Sequence, residues 1–226
     1  MEKYAVIVAG GAGLRMGTSL PKQFLLIHNK PVLWYTIHTF MKSFKDIRII
    51  LVLPAEYYDV GRAICDEIVS PYPILTLTGG PTRFHSVQKG LSLIEEPAVI
   101  FIHDAVRCLL TPSLIHFCYE EALQYGSAIP CIDSKDSVRI IHGKDHKAIK
   151  RTEVKLIQTP QTFLSEILLP AYRTGYQEWF TDDASVVEYA NQTIHLVEGE
   201  PNNIKITTPL DLAIAEKLLD PPQLSV

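Results

Sequence analysis

Four cysteines in 226 residues is a low count. Cys65, Cys108, Cys118 and Cys131 stand apart, with no C-x-x-C spacing among them. That scatter argues against a zinc knuckle or a redox pair. Long apolar runs are also missing, since none approaches the roughly 18–20 residues of a membrane span. Lys3 precedes an apolar stretch, but Ala5 to Ala9 gives way to glycine before the roughly 7–15 residues of a secretory signal are reached. A soluble, cytoplasmic protein is expected. A basic excess is lacking too: 21 Lys and Arg face 25 Asp and Glu, for a net charge of −4. This speaks against a general nucleic-acid or membrane-surface binder. No internal repeat or low-complexity segment is visible. What is present is ordinary globular material, 47% hydrophobic and 20% charged, enough apolar surface to offset the entropy of ordering the chain. A chain this long buries roughly 70–75% of its unfolded surface without disulfide or metal, and one domain is expected.

Short Val- and Ile-rich runs alternate with helix-like segments, the pattern of a mostly parallel sheet covered by helices. The runs predict strands at Tyr4–Ala9, Ile47–Leu53, Ile74–Thr78, Ala98–Ile102, Ser127–Ile132 and Thr193–Glu198. Between them, apolar residues three and four apart predict helices at Val32–Lys42, Tyr57–Val69, Phe84–Ile94 and Leu114–Tyr125. Thr208-Pro209 opens a last helix, and the proline-bearing segment beyond Asp220 is expected to fray. One stretch breaks the rhythm. Asp133 to Lys150 is polar, with β-prone residues 138–141 leading to Gly143 and a second piece at 148–150. Composition leaves open a solvated loop or a projecting hairpin.

The first strand runs into Ala9-Gly10-Gly11-Ala12-Gly13-Leu14-Arg15-Met16-Gly17, then Pro21-Lys22. Glycines after a strand let backbone N–H groups approach a phosphate. By itself such a cluster could be a tight connection. The kinase-type G-x-x-x-x-G-K-[ST] loop is absent. A dinucleotide fold would place an acid about 20 residues beyond its glycines, and here Lys30-Pro31-Val32 enters a helix instead. The string resembles the G-G-x-G-x-R-M…P-K signature of nucleotidyltransferases that use a nucleoside triphosphate. Its Arg and Lys suit the chemistry, because attack at an α-phosphorus builds negative charge that preplaced cations stabilise. Taken singly, either residue would read as a surface cation.

Further strings narrow the resemblance. They are Gly79-Gly80-Pro81-Thr82-Arg83-Phe84-His85-Ser86-Val87, His103-Asp104-Ala105-Val106-Arg107, Gln158-Thr159-Pro160-Gln161, Thr181-Asp182-Asp183-Ala184-Ser185, and Val197-Glu198-Gly199 with Asn203-Ile204-Lys205-Ile206-Thr207. In this order, from about Tyr4 to Leu219, they resemble the 2-C-methyl-D-erythritol 4-phosphate cytidylyltransferase family of non-mevalonate isoprenoid synthesis. The resemblance implies a Rossmann-like α/β fold, a mostly parallel sheet flanked by helices. It also implies a single nucleotidyltransferase domain over residues 1–226, with a β-arm inserted at about 133–152 and used in dimerisation. It further implies transfer of CMP from CTP to 2-C-methyl-D-erythritol 4-phosphate by in-line attack, releasing pyrophosphate without a covalent intermediate.

The resemblance carries residue roles with it. Arg15 and Lys22 would stabilise the transition state, and Arg151 and Lys205 would position the acceptor phosphate. Ala9, Gly10, Gly11, Ala12, Gly13, Gly80, Ser86, Asp104 and Ala105 would bind CTP. Arg107, Ser137, Thr159 and Thr181 are weaker acceptor-side candidates, and T-D-D-A at Thr181 also reads as a helix start. Asp104 would share Mg²⁺ with triphosphate oxygens, since magnesium takes few protein carboxylates; it could instead cap a helix or pair with Arg107. His103 reads as packed and hydrogen-bonded, because a phosphate monoester is largely deprotonated at neutral pH and needs no general base. The implied partners are the two small molecules and a second copy whose arm completes the site, with neither nucleic acid nor membrane. Pro81 lacks an N–H, and Cys108 and Val106 replace the family's usual Pro and Ala. Val106 also occurs in ribitol-5-phosphate cytidylyltransferases, so that acceptor stays open. A nucleotide-binding regulatory module without catalysis is a third reading, and the presence of all four expected cations speaks against it.

Overall fold

The computed structural model describes residues 1–10, 20–95 and 97–219. Strand β1 (Glu2–Val8) is followed by a short hairpin, β2 (Leu26–Ile27) and β3 (Lys30–Pro31), then by α1 (Val32–Ser43), β4 (Ile47–Leu53), α2 (Tyr58–Asp66), β5 (Leu75–Thr78), α3 (Arg83–Leu91) and β6 (Ala98–Asp104). Next come α4 (Pro112–Tyr125), β7 (Ser127–Asp133), β8 (Val138–His142), β9 (Asp145–Ile149), β10 (Lys155–Ile157) and β11 (Gln161–Leu164). The chain finishes with α5 (Ser165–Ala171), α6 (Asp183–Tyr189), β12 (Leu196–Glu198) and α7 (Pro209–Leu218). The main sheet runs β10-β7-β11-β6-β1-β4-β5, with β12 added on β7. β1 is parallel to both β4 and β6, and β4 is parallel to β5. β11 runs antiparallel between β6 and β7.

Near-continuous apolar strands are what a sheet covered on both faces requires, and alternate residues serve the two faces. Ala5, Ile7, Ile49, Leu51, Val99 and Phe101 meet the α1, α2 and α4 side. Tyr4, Val6, Val8, Ile50, Val52, Ile100 and Ile102 meet the α3, α5 and α6 side. A smaller cluster joins Val32 and Tyr35 to Val106, Ile206 and Ala215, seating α7. Local chemistry sets the helix ends. Thr111 caps α4 with Pro112 in its first turn, and Gly126 closes it at a φ of 84°, the left-handed region glycine tolerates. Thr208 and Asp211 form a reciprocal capping box on α7.

Boundaries moved where local chemistry overrode periodicity. Tyr57 sits in a 3-10 turn, so α2 starts at Tyr58 and stops at Asp66. α3 ends at Leu91, and β12 keeps only the last three residues of its expected run. The stretch after β7 is a hairpin: Val138 pairs with Ile149 and His142 with Asp145. Its turn carries Gly143 at a φ of 61°.

One topological fact positions the site. Because β11 runs against its neighbours, its beginning lies at the carboxyl ends of the parallel strands, with Gln161 opposite Ile102. The ends of β1, β5 and β6, the start of β11 and the chain leaving β7 toward the hairpin therefore share one edge, where open α/β sheets form their binding crevice.

Candidate active site

Two adjoining clefts open at this edge. The first, about 280 Å³, is lined among others by Ala9, Gly10, Gly80, Arg83, Ser86 and Lys205. The second, about 250 Å³, is lined among others by Arg107, Gln158, Thr159, Thr181, Asp182 and Lys205. Arg83, Asp104 and Lys205 belong to both. Of the expected nucleotide contacts, Ala9, Gly10, Gly80, Ser86 and Asp104 line the first cleft. Gly11, Ala12, Gly13 and Arg15 lie outside the described residues.

The walls of the first cleft are held from behind. The Gly80 N–H donates to Ser86 Oγ at 3.1 Å, and that hydroxyl donates to the Thr82 carbonyl at 3.0 Å. A Cβ on Gly80 would fall 2.4 Å from His85 Cβ, so the bend needs glycine. Ala105 is a strut and not a wall. It is fully buried, its N–H donates to Val8 O at 3.0 Å, and its carbonyl accepts from Thr36 at 2.9 Å. Lys22 is buried at the head of a 3-10 turn, Lys22–Phe24. Its neighbour Gln23 lines the cleft and donates to the Ala9 carbonyl at 2.6 Å. Sequence reasoning missed Gln23, and no motif marked it.

Asp104, at the end of β6, is the hub. Lys205 Nζ lies 2.8 Å from its carboxylate, Arg83 Nε 3.4 Å and Arg107 Nε 3.7 Å. Burial alone would raise its pKa, but the positive charges of Arg83, Lys205 and Arg107 outweigh burial and hold it well below the usual carboxylate range. Of the two roles left open for Asp104, pairing with Arg107 is thus present. Arg107 is fixed further by Nη1 donating to the Asn203 carbonyl at 2.8 Å.

Arg83 has a second anchor: Nη1 and Nη2 grip Asp183 at 2.9 and 2.8 Å. Asp183 is fully buried and also accepts from the Tyr172 hydroxyl at 2.6 Å. Burial works against a charged Arg83, yet Asp183 and Asp104 raise its pKa. Asp182, not Thr181, caps α6, in a box with Ser185. That leaves the Thr181 side chain on the wall of the second cleft.

His103 is fully buried, and desolvation lowers its pKa to about 3, so the ring is neutral. Nε2 faces the Arg107 carbonyl at 3.3 Å, which can only accept, so Nε2 carries the proton. Nδ1 then accepts from the Thr159 hydroxyl at 3.0 Å, and Thr159 Oγ1 accepts from the Asp104 N–H at 3.1 Å. This chain locks the Asp104–Arg107 turn and gives Thr159 a backbone-holding role as well as its place on the wall. Two acceptor-side candidates lie elsewhere. Arg151 and Ser137 are exposed at the base of the hairpin, and Arg151 Nη1 donates to the Lys135 carbonyl at 3.0 Å. Neither lines either cleft of its own chain. Among the described residues no three His, Cys, Asp or Glu side chains gather as a metal cage, and no helix is long and apolar enough to cross a membrane.

A mostly parallel sheet whose carboxyl edge carries twin clefts, walled by glycine backbone and by Arg and Lys, defines an open α/β protein with room for two ligands side by side. The comparisons name the family. The family profile for 2-C-methyl-D-erythritol 4-phosphate cytidylyltransferase (IspD) matches residues 4–221. A protein of that name from Bacteroides thetaiotaomicron is 46% identical over 219 residues, covering 97% of this chain and 100% of the relative. Another, from Lachnospira eligens, is 37% identical, covering 93% and 96%. Among solved structures, 4-diphosphocytidyl-2C-methyl-D-erythritol synthase from Anaerococcus prevotii superposes with a TM-score of 0.81 at 27% identity, covering 96% and 97%. The Thermus thermophilus cytidylyltransferase gives 0.76 at 29% identity, covering 96% and 98%. The chain belongs to the 2-C-methyl-D-erythritol 4-phosphate cytidylyltransferase family.

Proposed function

We propose that the protein, acting as one nucleotidyltransferase domain, transfers CMP from CTP to 2-C-methyl-D-erythritol 4-phosphate. CTP occupies the cleft of Ala9, Gly80 and Ser86; the acceptor phosphate occupies the cleft of Arg107, Thr159 and Thr181. The observation that carries this reading is that both clefts share Arg83, Asp104 and Lys205, so two ligands meet at one seam. A phosphate oxygen of the acceptor attacks the α-phosphorus as the bond to pyrophosphate breaks, giving 4-CDP-2-C-methyl-D-erythritol in one displacement. No general base is required of His103, which stays neutral and hydrogen-bonded. Arg15 and Lys22 stabilise charge on the α- and leaving phosphates, while Lys205 holds the acceptor phosphate as a point charge.

Asp104 suits Mg²⁺, because one hard carboxylate is enough when phosphate oxygens supply most ligands. When bound, that ion would neutralise triphosphate charge. Asp104 would hold the ion, with Lys205 beside it 2.8 Å from the same carboxylate. The acceptor cleft of a single chain also lacks surplus charge. Arg83, Arg107 and Lys205 on its walls are matched by Asp104, Asp182 and, directly behind, Asp183. A dianionic phosphate needs more positive charge than that. The exposed hairpin with Arg151 and Ser137 at its base supports a homodimer in which each arm completes the partner's site. The four cysteines are free and buried, which supports a reducing, cytoplasmic setting.

The test is pyrophosphate release by purified protein with CTP, Mg²⁺ and 2-C-methyl-D-erythritol 4-phosphate. Turnover with that acceptor is expected. Turnover with ribitol 5-phosphate alone overturns the specificity, and CTP binding without turnover on either acceptor overturns the enzyme reading in favour of a regulatory module.

A further inference from the structure

Tyr172 touches neither cleft with its hydroxyl and is 3% exposed, yet three contacts hold it behind Arg83, two to α3 and one to Asp183. Its carbonyl accepts from Gln88 of α3 at 2.8 Å. Its ring stacks on Phe84, also of α3, with centroids 4.9 Å apart and an interplanar angle of 17°. Its hydroxyl donates at 2.6 Å to the same Asp183 oxygen that receives Arg83 Nη1. Asp183 is itself held, because its N–H and that of Ala184 donate to Gln161 Oε1 at 2.9 and 2.8 Å.

A guanidinium is planar, so the carboxylate that grips its two terminal nitrogens also dictates where Nε points. Here Nε points at Asp104 Oδ1, 3.4 Å away. We propose that Tyr172 is a positioning residue for cytidylyl transfer: through Asp183 it fixes the plane of Arg83, and Arg83 fixes the Asp104 carboxylate at the seam between the two substrates. Without the hydroxyl, the Asp183 oxygen is shared by one donor fewer, Arg83 is drawn deeper onto it, and the contact with Asp104 lengthens. Asp104 then rests on Lys205 and Arg107 alone. The consequence falls on the step that needs both substrates aligned, and not on nucleotide capture by the glycine backbone.

This inference rests on the cytidylyl-transfer reading, and the experiment separates the two. Tyr172→Phe keeps the ring and its stacking and removes one oxygen. With turnover normalised to CTP-binding sites counted by equilibrium binding, kcat should fall about tenfold, the scale of one hydrogen bond to a charged group. KM for CTP should stay within about twofold, as expected for an interaction made in the transition state. In an Arg83→Lys background, where no fork exists to be aimed, adding Tyr172→Phe should change kcat by less than about twofold. A Tyr172→Phe kcat within twofold of the parent overturns the proposal. So does a penalty that persists undiminished in the Arg83→Lys background, because a merely structural role would act independently of the fork. Absence of turnover in the parent protein strikes the functional reading instead.

Discussion

The clefts and the hairpin carry charge in opposite ways. At the seam, Arg83, Arg107 and Lys205 crowd one carboxylate, and Arg83 has a second, buried partner in Asp183. On β8 and β9 most residues are exposed, and a pair such as Lys150 and Glu153, 3.6 Å apart with both side chains largely in water, is screened by solvent. Charge in the clefts is therefore geometry: each group is held in place by its partner, and losing the partner of a buried group leaves an uncompensated charge. Charge on the hairpin is reach, available to whatever approaches. The same residue type does different work because solvent access differs.

The largest expected effect tests the paired side of this contrast. Asp183→Ala leaves Arg83 with Asp104 alone and the buried Tyr172 hydroxyl without its acceptor, and should lower stability by about 3 kcal/mol in denaturant unfolding; a loss under about 1 kcal/mol would contradict a buried Arg83–Asp183 pair. Next, Lys205→Ala and Arg151→Ala should each cost roughly 10²–10³-fold in kcat/KM, one from the cleft and one from the arm. With the cleft lysine acting in its own chain and the arm arginine in the partner's site, heterodimers of Arg151→Ala with Lys205→Ala should regain up to one working site in two, and no recovery in verified heterodimers would remove the trans arrangement.

A smaller effect concerns pH. His103 is kept neutral in the fold, with its pKa lowered to about 3, whereas the unfolded chain protonates its histidine below about 6.5. The stability this contributes is present above about pH 6.5 and is lost as pH falls toward 3, at up to about 1.4 kcal/mol per pH unit. Relative to His103→Gln, the parent should lose stability faster between pH 6.5 and 4, measured by unfolding at each pH. Equal slopes would contradict a neutral, buried ring. Smallest of all, Lys147→Ala on the hairpin should shift stability by no more than about 0.5 kcal/mol; a larger loss would mean that arm charge is paired after all.

Much of the frame was legible before the structure. β4 runs from Ile47 to Leu53 as expected, and the parallel order follows from apolar strands alternating with amphipathic helices. Three features were not legible. β11 is four residues long and carries no readable period; it is a strand because β6 and β7 offer it two edges. Gln23 is an ordinary polar residue in the sequence and becomes a cleft wall only because Ala9 lies within its reach. Asp183 meets Arg83 across 100 residues and Tyr172 meets Asp183 across 11, and no local pattern encodes such a partnership.

Motif strings in order, strand and helix periodicity and capping residues determined the family, the sheet and most helix starts. Those are local facts, set by side-chain chemistry within a few residues. Tertiary structure alone decided which charges meet. Asp104, Arg83, Asp183 and Lys205 are distant in the chain, and they pair because a reversed β11 and the ends of β1, β5 and β6 share one edge. Ala105 became a strut and Arg151 stayed on an exposed arm for the same reason: burial and partnership are properties of packed neighbours, which a linear string does not list.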